Sequence, residues 1–172
     1  MTLQRTKVTM RGKPVSLIGP EIKPGDQAPD FDVLATDQSN VTLSDSKGRV
    51  RLFATVPSLD TELCDTETRR FNEEAAGLHD DVSVYTISSD LPFAQKRWCG
   101  ATGVDRVQTL SDYRHMSFGK AYGTYMEETR LQCRAVFVVD ADDRVTYVEY
   151  VPEVTQAPDY GAAIQAVKAA IK

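Results

Sequence analysis

Short apolar runs of strand length recur along this chain, separated by segments whose apolar positions follow a helical period. Residues 8–10 and 15–18 alternate on either side of Arg11, Gly12, Lys13 and Pro14, which predicts an N-terminal β-hairpin. A turn follows at 25–29, and residues 31–34 and 41–43 flank the polar turn 36–40. Residues 44–48 lead into the apolar strand 50–56, whose one charge is Arg51. Pro57 ends it, because proline donates nothing to a ladder. The next helix opens on Asp60 and Thr61, both good N-cap residues. Its body carries Phe71, Ala75 and Leu78 at helical spacing among Thr66, Glu67, Arg69, Arg70, Glu73 and Glu74. Beyond it, 82–88 is a β-branched strand, and Asp90, Leu91 and Pro92 open a short helix that ends near Trp98, Cys99 and Gly100. Residues 107–110 form the next strand, 116–122 a short helix before Gly123, and 135–139 another buried strand. The turn 140–144 sends the chain back through 145–151, and Pro158 and Asp159 introduce a terminal helix with Tyr160, Ile164, Val167 and Ile171 on one face. Strands alternating with helices, then a late hairpin and a closing helix, define an α/β sandwich with a mixed sheet.

With 172 residues, 41% of them hydrophobic, the chain suffices for a single domain, 1–172, in which 1–24 forms the hairpin extension. A formal net charge of -5 without a clustered basic stripe argues against nucleic acid as a partner. The first twenty residues lack an apolar run of signal-peptide length and nothing later approaches a membrane span, so a cytoplasmic protein is expected. Three cysteines, an odd number without framework spacing, fit a reducing compartment in which any disulfide is transient and catalytic. His79 and His115 are expected at the surface, far from any cysteine in metal-like spacing, and there is no glycine-rich phosphate loop. Neither a metal nor an organic cofactor is expected.

The chemistry gathers at the segment 57–64, PSLDTELC. Strand, proline and N-cap together place Cys64 at the third or fourth position of a helix. Thiolate is only about 3% of a free thiol at neutral pH, so a nucleophilic cysteine needs its charge stabilised. A helix start supplies about 0.3–2 kcal/mol of that, and a charge-assisted hydrogen bond roughly 1.5–3 kcal/mol. If Thr61 is the N-cap, its hydroxyl points into the same turn and can donate to the sulfur. A buried structural cysteine is the competing reading, and the strand, proline and threonine context weighs against it. In a dithiol oxidoreductase two cysteines in a CxxC open such a helix, but here Thr61 stands at the first position and Cys64 has no local partner. A disulfide would have to draw on Cys99 or Cys133. Cys99, at a helix end, suits a resolving thiol that needs little activation, and it reads equally well as a surface cysteine beside Trp98. The order of strands and helices is that of a thioredoxin-like fold, where the reactive cysteine also sits at a helix N-terminus.

On these motifs the chain resembles the bacterial thiol peroxidases, the atypical two-cysteine branch of the peroxiredoxins. The segment GDQAPDF at 25–31 is similar to the general peroxiredoxin start, and PSLDTELC matches the branch's pattern of proline, threonine and peroxidatic cysteine. SDLPFAQKRWCG at 89–100, residues 133–138 and residues 150–160 are similar to that branch in particular. The resemblance implies a thioredoxin-like three-layer sandwich and a thiol-dependent peroxidase acting on hydrogen peroxide and alkyl hydroperoxides. It places Pro57, Thr61, Cys64 and Arg134 around the peroxide. Without it, Arg134 reads as an ordinary surface arginine at a strand start. It further implies a Cys64 sulfenic acid, a Cys64 to Cys99 disulfide, reduction by thioredoxin, and a homodimer. Cys133 departs from the family pattern; adjacent strand residues point to opposite faces, so it should lie buried and inert, away from Arg134. From another class, the same cysteine pair fits a thioredoxin-fold redox sensor or binding module. A disulfide reductase is disfavoured by Thr61.

Overall fold

The computed structural model describes residues 4–172. Its chain begins with the antiparallel hairpin of β1 (Gln4–Met10) and β2 (Lys13–Ile18), in which each strand starts earlier than predicted, β1 by four residues and β2 by two. The short strands β3 (Asp32–Leu34) and β4 (Asn40–Thr42) follow, then β5 (Val50–Thr55), α1 (Glu62–Ala76), β6 (Val82–Ser88), α2 (Pro92–Thr102) and β7 (Val107–Ser111). After α3 (Ser117–Tyr122) come two strands of two residues each, β8 (Tyr125–Met126) and β9 (Leu131–Gln132). The hairpin of β10 (Ala135–Val139) and β11 (Val145–Tyr150) and the helix α4 (Tyr160–Ala170) close the chain.

The central sheet has seven strands in the order β11-β10-β5-β6-β7-β3-β4. Strands β5, β6 and β7 are parallel, joined by α1 and α2, while β10, β11, β3 and β4 pair antiparallel. This is the mixed sheet of a thioredoxin-like sandwich. Strand pleat divides the core in two, since alternate side chains leave opposite faces. Val50, Leu52 and Ala54 of β5, with Val136 and Val138 of β10, pack on Phe71 of α1 and on Ala163, Ile164 and Val167 of α4. On the other face Phe53, Tyr85, Ile87 and Phe137 meet Phe31, Phe118 and Tyr122, with Val8, Val15 and Leu17 of the hairpin behind them. Phe118 stacks on Tyr122 at 4.1 Å, and Phe31 meets Phe53 edge-on at 5.5 Å. Each such buried side chain contributes roughly 1.5–3 kcal/mol through apolar area alone.

The hairpin joins a second sheet, β1-β2-β8-β9. Strands β8 and β9 lie outside the predicted pattern, because two residues cannot display a period of two. Gln132 of β9 donates to Asp112 at 2.7 Å, and the same carboxylate accepts the N–H groups of Phe118 and Gly119 at the start of α3, at 3.0 and 2.8 Å. Burial raises the Asp112 carboxyl to about 6 in spite of these donors. Arg51, the one charge predicted in β5, is fully buried. It donates to the carbonyls of Arg49 and Asp140, at 2.5 and 2.8 Å, and pairs with Asp143 in the turn between β10 and β11.

Helix α2 runs past the predicted end at Gly100 to Thr102, and Gly103 stops it in the left-handed region at φ 70°. At the end of α3, Gly123 is equally left-handed (φ 69°), and a side chain there would run into the Pro20 carbonyl and the Arg5 guanidinium that donates to the Gly123 carbonyl at 2.6 Å. Gly123→Ala should therefore lower stability by about 2–4 kcal/mol, from strained φ plus overpacking. Urea denaturation measures this; a loss under about 0.5 kcal/mol would mean that the hairpin moves away freely.

Candidate active site

Residues following β5 build the site. Val56 and Pro57 are buried at the strand end, and the loop through Ser58 and Asp60 delivers Thr61 as the N-cap of α1, in extended conformation. Cys64 is the third helical residue and is fully buried. The first rung of the helical ladder is the Asp65 N–H to the Thr61 carbonyl, 3.0 Å, so the N–H groups of Glu62, Leu63 and Cys64 precede the ladder. The positions of Thr61 and Cys64 thus agree with the sequence, although the Thr61 side chain makes no capping hydrogen bond. The Thr61 hydroxyl departs from the sequence expectation: it is exposed and donates to the Ser58 carbonyl at 2.9 Å. The backbone turn that joins Thr61 N–H to the same carbonyl (3.1 Å) brings that acceptor close, and a hydroxyl has one proton to give.

The donor to the sulfur is Arg134, just ahead of β10 and only 2% exposed. Its Nη2 lies 3.4 Å from Cys64 Sγ, its Nε donates to the Val154 carbonyl at 2.9 Å, and its Nη1 pairs with Glu67. Glu67 comes three residues after Cys64, and residues at that spacing share a helix face. The sequence pattern sets Glu67 only among the polar residues of the helix body and gives it no role. Its signal was the three-residue offset from the cysteine, which separates it from Arg69 and Arg70 on the exposed side, where they pair with Asp65 and Glu74. Burial pushes the Glu67 carboxyl up to about 7, against the pull of Arg134. Burial also works against the Arg134 charge, but Glu67 and Cys64 outweigh it and hold the guanidinium more firmly protonated than usual. The Cys64 sulfur, the Arg134 guanidinium and the Glu67 carboxyl form one buried hydrogen-bonded chain.

Cys133, in the link between β9 and β10, points away from Arg134 into the core with Phe137, and burial drives its thiol up to about 12. Cys99 is half-buried in the last turn of α2, with its sulfur 3.5 Å from Thr109 Oγ1. It packs against a small apolar cluster of Val56, Leu59, Cys64 and Trp98. All three cysteines are free thiols. His79 and His115 are exposed.

A thioredoxin-like sandwich with an arginine-held cysteine at a helix start defines a class, and the Redoxin family profile matches it over residues 23–164. Within that class the chain belongs to the thiol peroxidases, enzymes that reduce peroxides with thiols as the electron source. It is 61% identical to the thiol peroxidase of Halalkalibacterium halodurans over 164 residues, covering 95% of this chain and 98% of that protein. Identity to the thiol peroxidase of Bacillus subtilis is 56% over 166 residues, covering 96% and 99%. Among solved structures, a peroxiredoxin-like protein from Aquifex aeolicus superimposes with a TM-score of 0.91 at 40% identity, covering 98% of this chain and 99% of that one.

Glu67 makes stability depend on pH. Its folded carboxyl, at about 7, stands above the ordinary 4.5, so its contribution is full below 4.5 and is lost as pH rises through 7. Glu67→Gln should remove up to about 3 kcal/mol of the stability difference between acid and neutral pH. Chemical denaturation on each side of that interval measures it, and equal slopes in both proteins would refute the assignment.

Proposed function

We propose that Cys64 is the peroxidatic cysteine, that Cys99 resolves it, and that thioredoxin recycles the resulting disulfide. The observation that carries the reading is the buried Arg134 guanidinium, 3.4 Å from Cys64 Sγ and held on its other side by Glu67. A thiolate needs a fixed positive donor, and arginine supplies one permanently in a planar fork that can also face a second ligand. In the first step the Cys64 thiolate attacks one peroxide oxygen in line, the S–O bond forms and the O–O bond breaks. Sulfur is oxidised to sulfenic acid, and the departing oxygen takes a proton and leaves as water or alcohol. Negative charge gathering on that oxygen is met by Arg134 and by the N–H groups at the start of α1. Buried Pro57 excludes water and offers no proton that competes for the sulfur. Thr61 serves this scheme as the N-cap that orders the loop through Ser58.

In the second step the Cys99 thiolate attacks the Cys64 sulfur, an S–S bond forms, and hydroxide leaves as water after taking up a proton. A disulfide needs α-carbons within about 7 Å. Cys64 is fully buried in one helix and Cys99 sits inside the last turn of another, so both segments must unwind locally. A dithiol protein of the thioredoxin type then restores both thiols. Three free cysteines suit a reducing cytoplasm. A homodimer fits the exposed Leu91, Phe93 and Tyr113, which stand 48%, 63% and 40% accessible and offer apolar surface.

Peptide mapping after one equivalent of hydrogen peroxide tests the scheme. Wild type should give a Cys64 to Cys99 disulfide, and Cys99→Ser a sulfenic acid at Cys64. With thioredoxin as reductant, steady peroxide consumption should fall by at least about 100-fold in Cys99→Ser. A Cys64 to Cys133 bridge would overturn the resolving role. One stoichiometric oxidation without turnover would mark a sensor in place of an enzyme.

A further inference from the structure

Helix α2 is fastened to the Cys64 segment at both of its ends, by bonds of different kinds. At its start, the Asp90 carboxylate accepts the Ser58 hydroxyl at 2.7 Å, the Leu59 N–H at 2.8 Å and the Ser88 hydroxyl at 2.6 Å. The Asp90 carbonyl takes the Ser111 hydroxyl at 2.5 Å, and Gln95 ties the same corner to Ser88 and to the Leu110 carbonyl, at 3.1 and 2.9 Å. These partners belong to β6, β7 and the loop after β5, so this end is anchored in the sheet. At the other end one hydrogen bond crosses between the helices, Trp98 Nε1 donating to Asp65 Oδ1 at 2.8 Å, beside an exposed ion pair of Arg97 with Asp60 at 3.7 Å. Trp98 directly precedes Cys99, and Asp65 directly follows Cys64.

We propose that the Trp98 to Asp65 hydrogen bond is the latch that holds the two cysteine segments closed, and that Asp90 is the fixed end about which α2 opens. The inference rests on the reading of Cys64 and Cys99 given above. Unwinding the last turn of α2, which contains Cys99 and Gly100 and stops at Gly103, must withdraw the indole from Asp65. Asp65 is then held only by Arg69 on the exposed face, at 2.8 Å, and the first turn of α1 loosens as α2 does. The two segments therefore open together. The latch also divides the fate of the sulfenic acid. While it is closed, a second peroxide can oxidise Cys64 from sulfenic to sulfinic acid, losing its O–O bond and leaving as water. Once it is open, Cys99 forms the disulfide.

Trp98 is the only tryptophan, so its fluorescence reports the latch directly. One equivalent of hydrogen peroxide should shift its buried emission to the red, and dithiothreitol should reverse the shift. Removing one charge-assisted hydrogen bond should favour opening by roughly ten- to a hundredfold. In Trp98→Phe and in Asp65→Ala, the hydrogen peroxide concentration that converts half of Cys64 to sulfinic acid, read by intact-mass spectrometry, should rise by that factor. Asp65→Asn keeps a neutral acceptor for the indole and should fall between wild type and Asp65→Ala, a partial rescue that loss of packing or charge alone would not give. Thermal unfolding verifies that each variant is folded, and the two removals report the latch independently. An unchanged half-conversion concentration in both, or emission that oxidation does not move, overturns the latch while leaving the peroxidase reading intact. Failure of wild-type Cys64 to oxidise, or its bridging to Cys133, overturns the functional reading and the latch with it.

Discussion

A buried guanidinium must have its charge answered, and Arg134 has it answered on every side. Leaving such a group unpaired in the interior costs several kcal/mol, so elements that present acceptors to it are fixed relative to one another. Three are enlisted: Glu67 and Cys64 from one face of α1, and the Val154 carbonyl from the chain between β11 and α4. Arg134 thereby ties α1 to the closing hairpin. The sulfur is one of the acceptors in that arrangement, so a fixed positive donor stands beside it at 3.4 Å.

Sheet register makes the meeting possible. Strands β5 and β10 are antiparallel neighbours, with Ala135 opposite Thr55. The residue before β10 and the residues after β5 consequently emerge at the same edge of the sheet. Arg134 and the loop carrying Pro57 to Cys64 are therefore adjacent although 70 residues separate cysteine from arginine. Parallel pairing of β5 with β6 then brings the chain past Asp90 at that same edge, where its carboxylate clamps Ser58 and Leu59. Ligand sites at the carboxyl ends of parallel strands follow from this geometry in open α/β sheets generally.

Much of this was legible in the sequence because it is local. The strand, the proline, the N-cap at Thr61 and the third-position Cys64 are all set by propensities acting over a dozen residues, and the two-faced core follows from strand alternation. What escaped was decided by tertiary packing. Glu67 is one acidic residue among several on an amphipathic helix; its offset from Cys64 sets its face, but its partner lies 67 positions away. Thr61 was expected to donate to the sulfur, but a loop carbonyl three residues back competes for its single proton and wins. Strands β8 and β9 are too short to carry a period, and exist because β2 offers them an edge. Helix α2 outruns its expected end because Gly100 is tolerated within the helix, while Gly103 supplies the left-handed stop.

Cys133 and Cys64 show how little residue type alone determines. Cys133 is covalently next to Arg134, and Cys64 is remote in sequence, yet the guanidinium serves the remote thiol. Alternation along the chain at β10 sends Arg134 toward α1 and Cys133 toward Phe137, so adjacency in sequence becomes separation across a sheet. Burial then drives the Cys133 thiol up to about 12, with the cation on the far side offering only a weak downward pull. Cys64 is just as buried, but it has a helix start beneath it and a donor at 3.4 Å. Two equally buried sulfurs thus acquire different surroundings from the direction in which one arginine points, and that direction is fixed by the pleat.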